Sequence, residues 1–366
     1  MRGGRTWASV GRTWGRPVLS LCFCVLSVNA SAGDEPASEP RAKAAPAPGP
    51  KRAQIEDFAP SDEFVMVGPV KTHVVRKGDL GPAVVLVHGF GASTYTWNKT
   101  IDALSQDYRV FAVDMKGFGL TAKPKDGEYH PRAFADHLLA FLDAMKIDRA
   151  VLVGHSLGGA VVTRLALRNP ARVLGLVLVA PAPVGMTKGR PGGVSAVPKV
   201  PPPEERADAV GAAKPAMKDI SVGPAPALAV RLAPLLLRTT ITRQTVESGL
   251  KTAFHDPALV TPEMVEAYYR PITIEGGAEA LAAMMNPPPS AADGPLPPLT
   301  SLKVPTLIAV GGHDRMVPPA VAESYAGQIP GAEQAAFPRS GHVPHEEEAA
   351  AFNARLRDFL RRIPKD

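Results

Sequence analysis

The chain has 366 residues, 45% of them hydrophobic and 21% charged, long and apolar enough to bury a sizeable core, which excludes a wholly disordered protein. Its formal charge is +6, and removing residues 1–32, which carry four arginines and no acid, leaves +2, too little to suggest a nucleic-acid partner. Both cysteines, Cys22 and Cys24, fall in that leader, so a processed chain has no disulfide framework, thiol nucleophile or cysteine metal site.

In chain order, Arg2, Arg5, Arg12 and Arg16 make a basic start, "VLSLCFCVLSV" an apolar stretch and Ala30 to Ala32 a small-residue cleavage site, which together predict a signal peptide over 1–32. The apolar stretch is shorter than the roughly twenty residues of a membrane span. Leu21 before Cys22 does not suit a lipoprotein. The expected location is periplasmic or extracellular, with no integral membrane segment in the mature chain. Residues 33–60 are rich in Ala, Pro, Glu and Lys and predict a disordered linker.

Short apolar runs then alternate with helical patterns. "VMVGPVKTHVV", "AVVLVHGF" and "YRVFAVD" read as strands, Pro131 to Lys146 as a helix, "AVLVGH" as a strand, Leu157 to Arg168 as a helix, and "VLGLVLVA" as a strand. This predicts an α/β fold with a mostly parallel, doubly wound sheet.

The rhythm stops after Pro181, and 20 of the 39 prolines lie between Pro181 and Pro298. Inside are the helix-like pieces "APALAVRLAPLLLR" and "TPEMVEAYY", where Thr261 suits an N-cap and Pro262 the first helical position. Residues 183–298 therefore predict a helical cap, with Leu228, Leu232, Leu235, Leu236, Met284 and Met285 as its apolar surface. The rhythm resumes with "PTLIAVGGHD", a helix after Pro318, "AEQAAFP" and a closing helix from His345 to about Ile363. One α/β domain, 61–182 with 299–366, is interrupted by one insertion.

The strand "AVLVGH" runs into Gly154-His155-Ser156-Leu157-Gly158 and a helix. That context suits a nucleophile elbow, in which glycines let strand and helix pass closely while a strained turn exposes the serine. From about Phe64 to Leu360 the chain resembles the α/β-hydrolase family. The resemblance implies the order serine, acid, histidine, and so a catalytic Ser156, Asp314 after the strand "TLIAVGG", and His342 in "RSGHVPHEEE". It also implies an oxyanion hole from the N–H groups of Phe90, in "VLVHGFGAST", and Leu157. His88, Gly89, His155, Tyr268 and Tyr269 are then expected around the substrate. His345, His313 and Asp293 fit the triad less well and are expected to be solvated or supporting side chains.

Gly89, Gly91 and Asp114 imitate a dinucleotide site, but Thr94 stands where its third glycine belongs. "DMKGFGLTAKP" resembles the family's D-x-x-G-x-G-x-S loop, with Thr121 in place of serine, and reads as a supporting turn. Pro344 separates His342 from His345 and no H-E-x-x-H is present, so no metal is expected. No cofactor is expected either.

Serine at position 156 sets aside the epoxide hydrolases and haloalkane dehalogenases, whose nucleophile is aspartate, although "HDPALVTPEMVEAYYRP" resembles their cap. The expectation is a serine hydrolase that cleaves a carboxylic ester, or a related acyl bond, of a small apolar substrate. The same triad would serve a carbon–carbon bond hydrolase, an amidase or peptidase, an acyltransferase or a cofactor-free haloperoxidase. A ligand-binding receptor on the hydrolase fold and a protein recruiting partners through its Pro-rich segments are the non-enzymatic alternatives. Oligomeric state is not readable from the sequence.

Overall fold

A computed structural model of the chain describes residues 63–184, 186–187, 190–191, 227–285 and 295–364. The expected signal peptide and linker, and Asp293, lie outside the described residues, as do the side chains of Leu228 and Leu232.

Strands β1 (Glu63–Val67), β2 (Val70–Lys77), β3 (Ala83–Val87), β4 (Arg109–Val113), β5 (Ala150–His155), β6 (Val173–Val179), β9 (Thr306–Gly311) and β10 (Glu333–Phe337) form one sheet. Between β6 and β9, β7 (Met186–Thr187) and β8 (Arg190–Pro191) make a short separate ribbon. The sheet order is β1-β2-β4-β3-β5-β6-β9-β10. The run read as a single strand from Val65 to Val75 is a hairpin, because Gly68 takes a positive φ of 56° and turns β1 back on β2. β2 meets β4 antiparallel, and the other pairings of this sheet from β4 to β10 are parallel.

Every residue of β3, β5 and β6 is buried, as strands covered on both faces must be. Val85, Val87, Leu152, Leu176 and Leu178 face helices α2 (Pro131–Ala144) and α3 (Leu157–Arg168), packing with Phe134, Leu138, Phe141, Val161 and Leu165. Val84, Leu86, Val151, Val153, Val177 and Val179 face the other side. There they meet Trp97 and Leu104, at the ends of α1 (Asn98–Leu104) and its preceding turn, and Phe352, Leu356 and Phe359 of α10 (Ala349–Arg361). The period-two alternation along each strand thus builds two cores.

The insertion contributes α4 (Ala227–Thr240), α5 (Arg243–Ala253), α6 (Pro262–Thr273) and α7 (Gly277–Met285). Thr261 caps α6 by accepting the Met264 N–H, with Pro262 in its first turn. Val246, Leu250, Phe254, Met264 and Val265 form a third cluster that includes Val343, the residue after His342. Of the apolar residues expected on the cap's packing face, Leu235 and Leu236 are each 57% exposed. The turn of α4 instead buries Leu237, which joins the main core. After α8 (Pro319–Gln328) and β10, the closing helix comes in two pieces, because α9 (Pro344–Glu347) ends at Glu348, whose φ of −110° and ψ of 45° are not helical. Among the described residues no helix is long and apolar enough to cross a membrane.

β5 and α3 meet closely at their glycines. A Cβ on Gly154 would lie 2.4 Å from the Gly158 carbonyl oxygen, and one on Gly158 would lie 2.4 Å from Val87 O and 2.5 Å from His88 O. Gly158→Ala is therefore expected to lower stability by about 1–3 kcal/mol in urea unfolding and to displace the loop after β3. Gly327→Ala, on the exposed side of α8 with nothing within 4 Å of the added carbon, serves as the control and should be neutral or slightly stabilising.

Candidate active site

Ser156 joins β5 to α3 with φ 50° and ψ −115°, a conformation that L-residues rarely adopt. The turn is overdetermined. Its N–H donates to Val179 O at 2.9 Å, and its carbonyl accepts the N–H groups of Ala182 at 2.9 Å and Ala160 at 3.3 Å. Gly89 lies directly against it, since a Cβ on Gly89 would be 3.2 Å from the Ser156 Cβ and 2.8 Å from His155 Nδ1. Only a residue without a side chain lets the loop after β3 approach this closely.

Asp314 follows β9. Its Oδ1 accepts the N–H groups of Met316 and Val317, both at 2.8 Å, and its Oδ2 accepts Nδ1–H of His342 at 2.8 Å. This bond directs the unprotonated Nε2 of His342 away from the acid. The His342 backbone is held on both sides, its N–H donating to Ala253 O at 2.7 Å and its carbonyl accepting His155 Nε2–H at 2.9 Å. The imidazole centroids of His155 and His342 are 4.7 Å apart, so the residue before Ser156 touches the histidine that Asp314 orients.

His155 is one of three histidines in contact. It also lies 4.7 Å from His345, which in turn packs 4.4 Å from Trp97. His345 is fully buried rather than solvated, because the break at Glu348 turns α9 inward, and its Nε2–H donates to Thr96 Oγ1 at 2.8 Å. Burial, aided by the neighbouring imidazoles, holds His155 well below the ordinary histidine range and His345 at about 3. Both are neutral at physiological pH.

His88 and His155 were expected beside the substrate, but both rings are buried and fasten backbone. His88 donates Nδ1–H to Gly89 O at 2.7 Å and accepts the Met115 N–H on Nε2 at 3.0 Å, with burial holding the ring below its ordinary range and so neutral. Below this loop, Asp114 Oδ1 accepts the Thr94 N–H at 2.6 Å, while Oδ2 accepts from Leu120 N–H at 2.8 Å and His73 Nδ1–H at 2.7 Å. Burial raises the Asp114 carboxyl, but the His73 hydrogen bond and attraction, together with the Leu120 N–H, outweigh it and keep it below the ordinary range. The Asp114–Thr121 segment, read from sequence as a supporting turn, is thus the clamp of the loop that carries Phe90.

Phe90 packs edge-on against Phe118 at 6.0 Å. Leu157, the first residue of α3, directly follows Ser156. A crevice of about 10 Å³ beside this loop is lined by Ala92, Phe118, Pro271, Ile272, Leu281 and three glycines, with no charged residue. Tyr268 and Tyr269 diverge, the first donating its hydroxyl to Glu346 Oε1 at 2.5 Å and the second lying beneath the Arg243 guanidinium, 4.5 Å from its ring centroid. His313 stacks on His255 at 3.8 Å. Among the described residues no three His, Cys, Asp or Glu side chains are grouped to hold a metal.

Sequence reasoning missed Thr96, Glu346 and Glu347. Glu347 accepts the N–H groups of Gly341 at 2.6 Å and His255 at 2.7 Å, tying the His342 loop to the end of α5. The only sequence signal was three consecutive glutamates at the start of the expected closing helix.

The family model of the alpha/beta hydrolase fold matches residues 82–349. The chain is 28% identical over 305 residues, 81% of its length and 93% of the relative's, to a 2-hydroxymuconate semialdehyde hydrolase from Pseudomonas sp. (strain CF600). It is 28% identical over 308 residues, 83% of its length and 70% of the relative's, to a dihydrolipoyllysine-residue acetyltransferase component of an acetoin cleaving system from Cupriavidus necator. Among solved structures it is similar to a meta-cleavage product hydrolase from Pseudomonas fluorescens, with a TM-score of 0.62 and 26% identity, covering 82% of this chain and 97% of that one.

The histidine contacts carry a pH signature. The folded value of His345, about 3, lies below its ordinary 6.5, so its contribution to stability is complete above about pH 6.5 and is lost as pH falls toward 3. Urea unfolding at pH 7 and pH 5 should show a loss of about 2 kcal/mol from this residue. His345→Gln, which keeps a donor for Thr96, should show a correspondingly smaller loss, and an unchanged pH slope would refute the assignment.

Proposed function

The chain belongs to the α/β-hydrolase fold family, and from that premise we propose that it is a serine hydrolase cleaving a carboxylic ester of a small apolar substrate. The observation that carries this reading is the Asp314–His342 hydrogen bond, 2.8 Å long, beside a serine on a left-handed elbow. Residues 183–298 act as the lid over the site.

Ser156 Oγ attacks the substrate carbonyl and its proton passes to His342 Nε2. Asp314, its second oxygen fixed by two backbone N–H groups, stabilises the imidazolium without taking the proton. The N–H groups of Phe90 and Leu157 hold the oxyanion, the latter helped by its place at the N-terminus of α3. Collapse breaks the bond to the leaving oxygen, which takes the proton from His342. Water then repeats the attack, with His342 as base, and releases the acid from Ser156.

Carbon–carbon bond hydrolysis is a second reading, favoured by the names of the relatives at 28% and 26% identity.

A fluorophosphonate should label the wild-type protein and leave Ser156→Ala unlabelled. With a panel of p-nitrophenyl esters, Asp314→Asn should lower kcat about 10⁴-fold. Undiminished ester turnover by Ser156→Ala would overturn the serine mechanism, and faster turnover of 2-hydroxymuconate semialdehyde than of any ester would favour the second reading.

The leader over 1–32 directs export to the periplasm or beyond the cell. N-terminal sequencing of exported protein should then read from Gly33, whereas a chain retaining Met1 in the cytosol would sink this assignment.

A further inference from the structure

Glu346 is a carboxyl that the proposed chemistry does not use, yet it is 3% exposed and lies four residues after His342. Its Oε1 accepts two hydrogen bonds at 2.5 Å, one from Tyr268 on α6 and one from Thr96 in the turn Thr94–Trp97. Three parts of the site meet at this oxygen: the insertion helix α6, the turn that leads out of the Phe90 loop, and the segment that presents His342. Tyr95, from the same turn, packs edge-on against Tyr268 at 5.8 Å.

We propose that Glu346 is a positioning residue that fastens α6 down onto the active site, with Tyr268 as the catch and Thr96 as the anchor. The proposal rests on the serine-hydrolase reading only for its effect on turnover. The groups facing the carboxyl are Tyr268 from α6, Thr96 and Tyr95 from the turn, Lys99 from α1, and its neighbours His345 and Glu347. Lys99 Nζ donates to the Glu346 carbonyl at 3.0 Å, and His345 Nε2 is 4.0 Å from Oε1.

Burial outweighs the hydrogen bonds from Thr96 and Tyr268 and the charge of Lys99, and pushes the carboxyl up to about 7. When α6 lifts, water reaches Glu346 and returns it to the ordinary carboxylate range. The closed form therefore holds a proton that the open form releases. Closure tightens as pH falls through about 7 toward the ordinary value of 4.5 and loosens as pH rises. With these two values the closed-to-open ratio changes about tenfold between pH 6 and pH 8.

The test is the protection of α6 backbone amides, residues 262–273, against hydrogen exchange in the full chain, corrected for the intrinsic rate. Wild type should be about tenfold less protected at pH 8 than at pH 6. Glu346→Gln, neutral at both values, should show equal protection at pH 6 and 8. If that variant does not fold, Tyr268→Phe decides the matter, because uncoupling α6 from the carboxyl should make protection low and independent of pH. In kinetics, the wild-type KM for an ester should rise from pH 6 to pH 8 while kcat follows the same profile as in Glu346→Gln. Equal α6 protection at both pH values in wild type, or an undiminished pH difference in either variant, would overturn the proposal. A protein that turns over no ester but shows the exchange pattern would refute the hydrolase reading alone.

Discussion

The site depends on how closely β5, α3 and the loop after β3 approach one another. Gly154 and Gly158 leave no room for even one carbon atom between these segments, and Gly89 brings a third stretch of backbone against Ser156. The unfavourable backbone angles of Ser156 persist because Val179, Ala182 and Ala160 hold its N–H and carbonyl from both sides. Backbone strain is therefore stored at the residue that the sequence marks as reactive, and the strands β3, β5 and β6, buried on both faces, supply the rigidity that maintains it.

Charge is distributed around this crossing with a consistent logic. The two acids in contact with the supporting loops, Asp114 and Asp314, each receive several hydrogen bonds, which compensates for their burial. His88, His155 and His345 are buried and stay neutral, acting as shaped donors and acceptors rather than as cations. Glu346 departs from this pattern, since the bonds from Thr96 and Tyr268 do not offset its burial.

Much of the fold was legible in the sequence. Continuous β-branched runs marked the parallel strands, the proline-rich interval marked where the sheet was interrupted, and Thr261-Pro262 marked a helix start that the structure contains. The Asp314–His342 pair was readable only because the elbow at Ser156 brought the family's order of motifs with it. What was not legible had a common cause: the inward direction of Glu346 and His345 depends on the bend at Glu348, and the exposure of Leu235 and Leu236 on which face α4 presents. Neither follows from residue type or spacing. His88 and His155 were assigned to the substrate because they neighbour the motifs, whereas tertiary packing uses them to hold backbone.

The strand order leaves β10 at one edge of the sheet, where unpaired backbone groups would otherwise invite a foreign strand. Its first residue, Glu333, is gripped by Arg362 at 2.6 and 2.9 Å and also pairs with Arg355, both from α10. The Arg362 hydrogen bonds and the two guanidinium charges lower this carboxyl to about 2, so it remains ionised across ordinary pH. A permanently charged lock on this rim of the sheet opposes self-association through the edge strand.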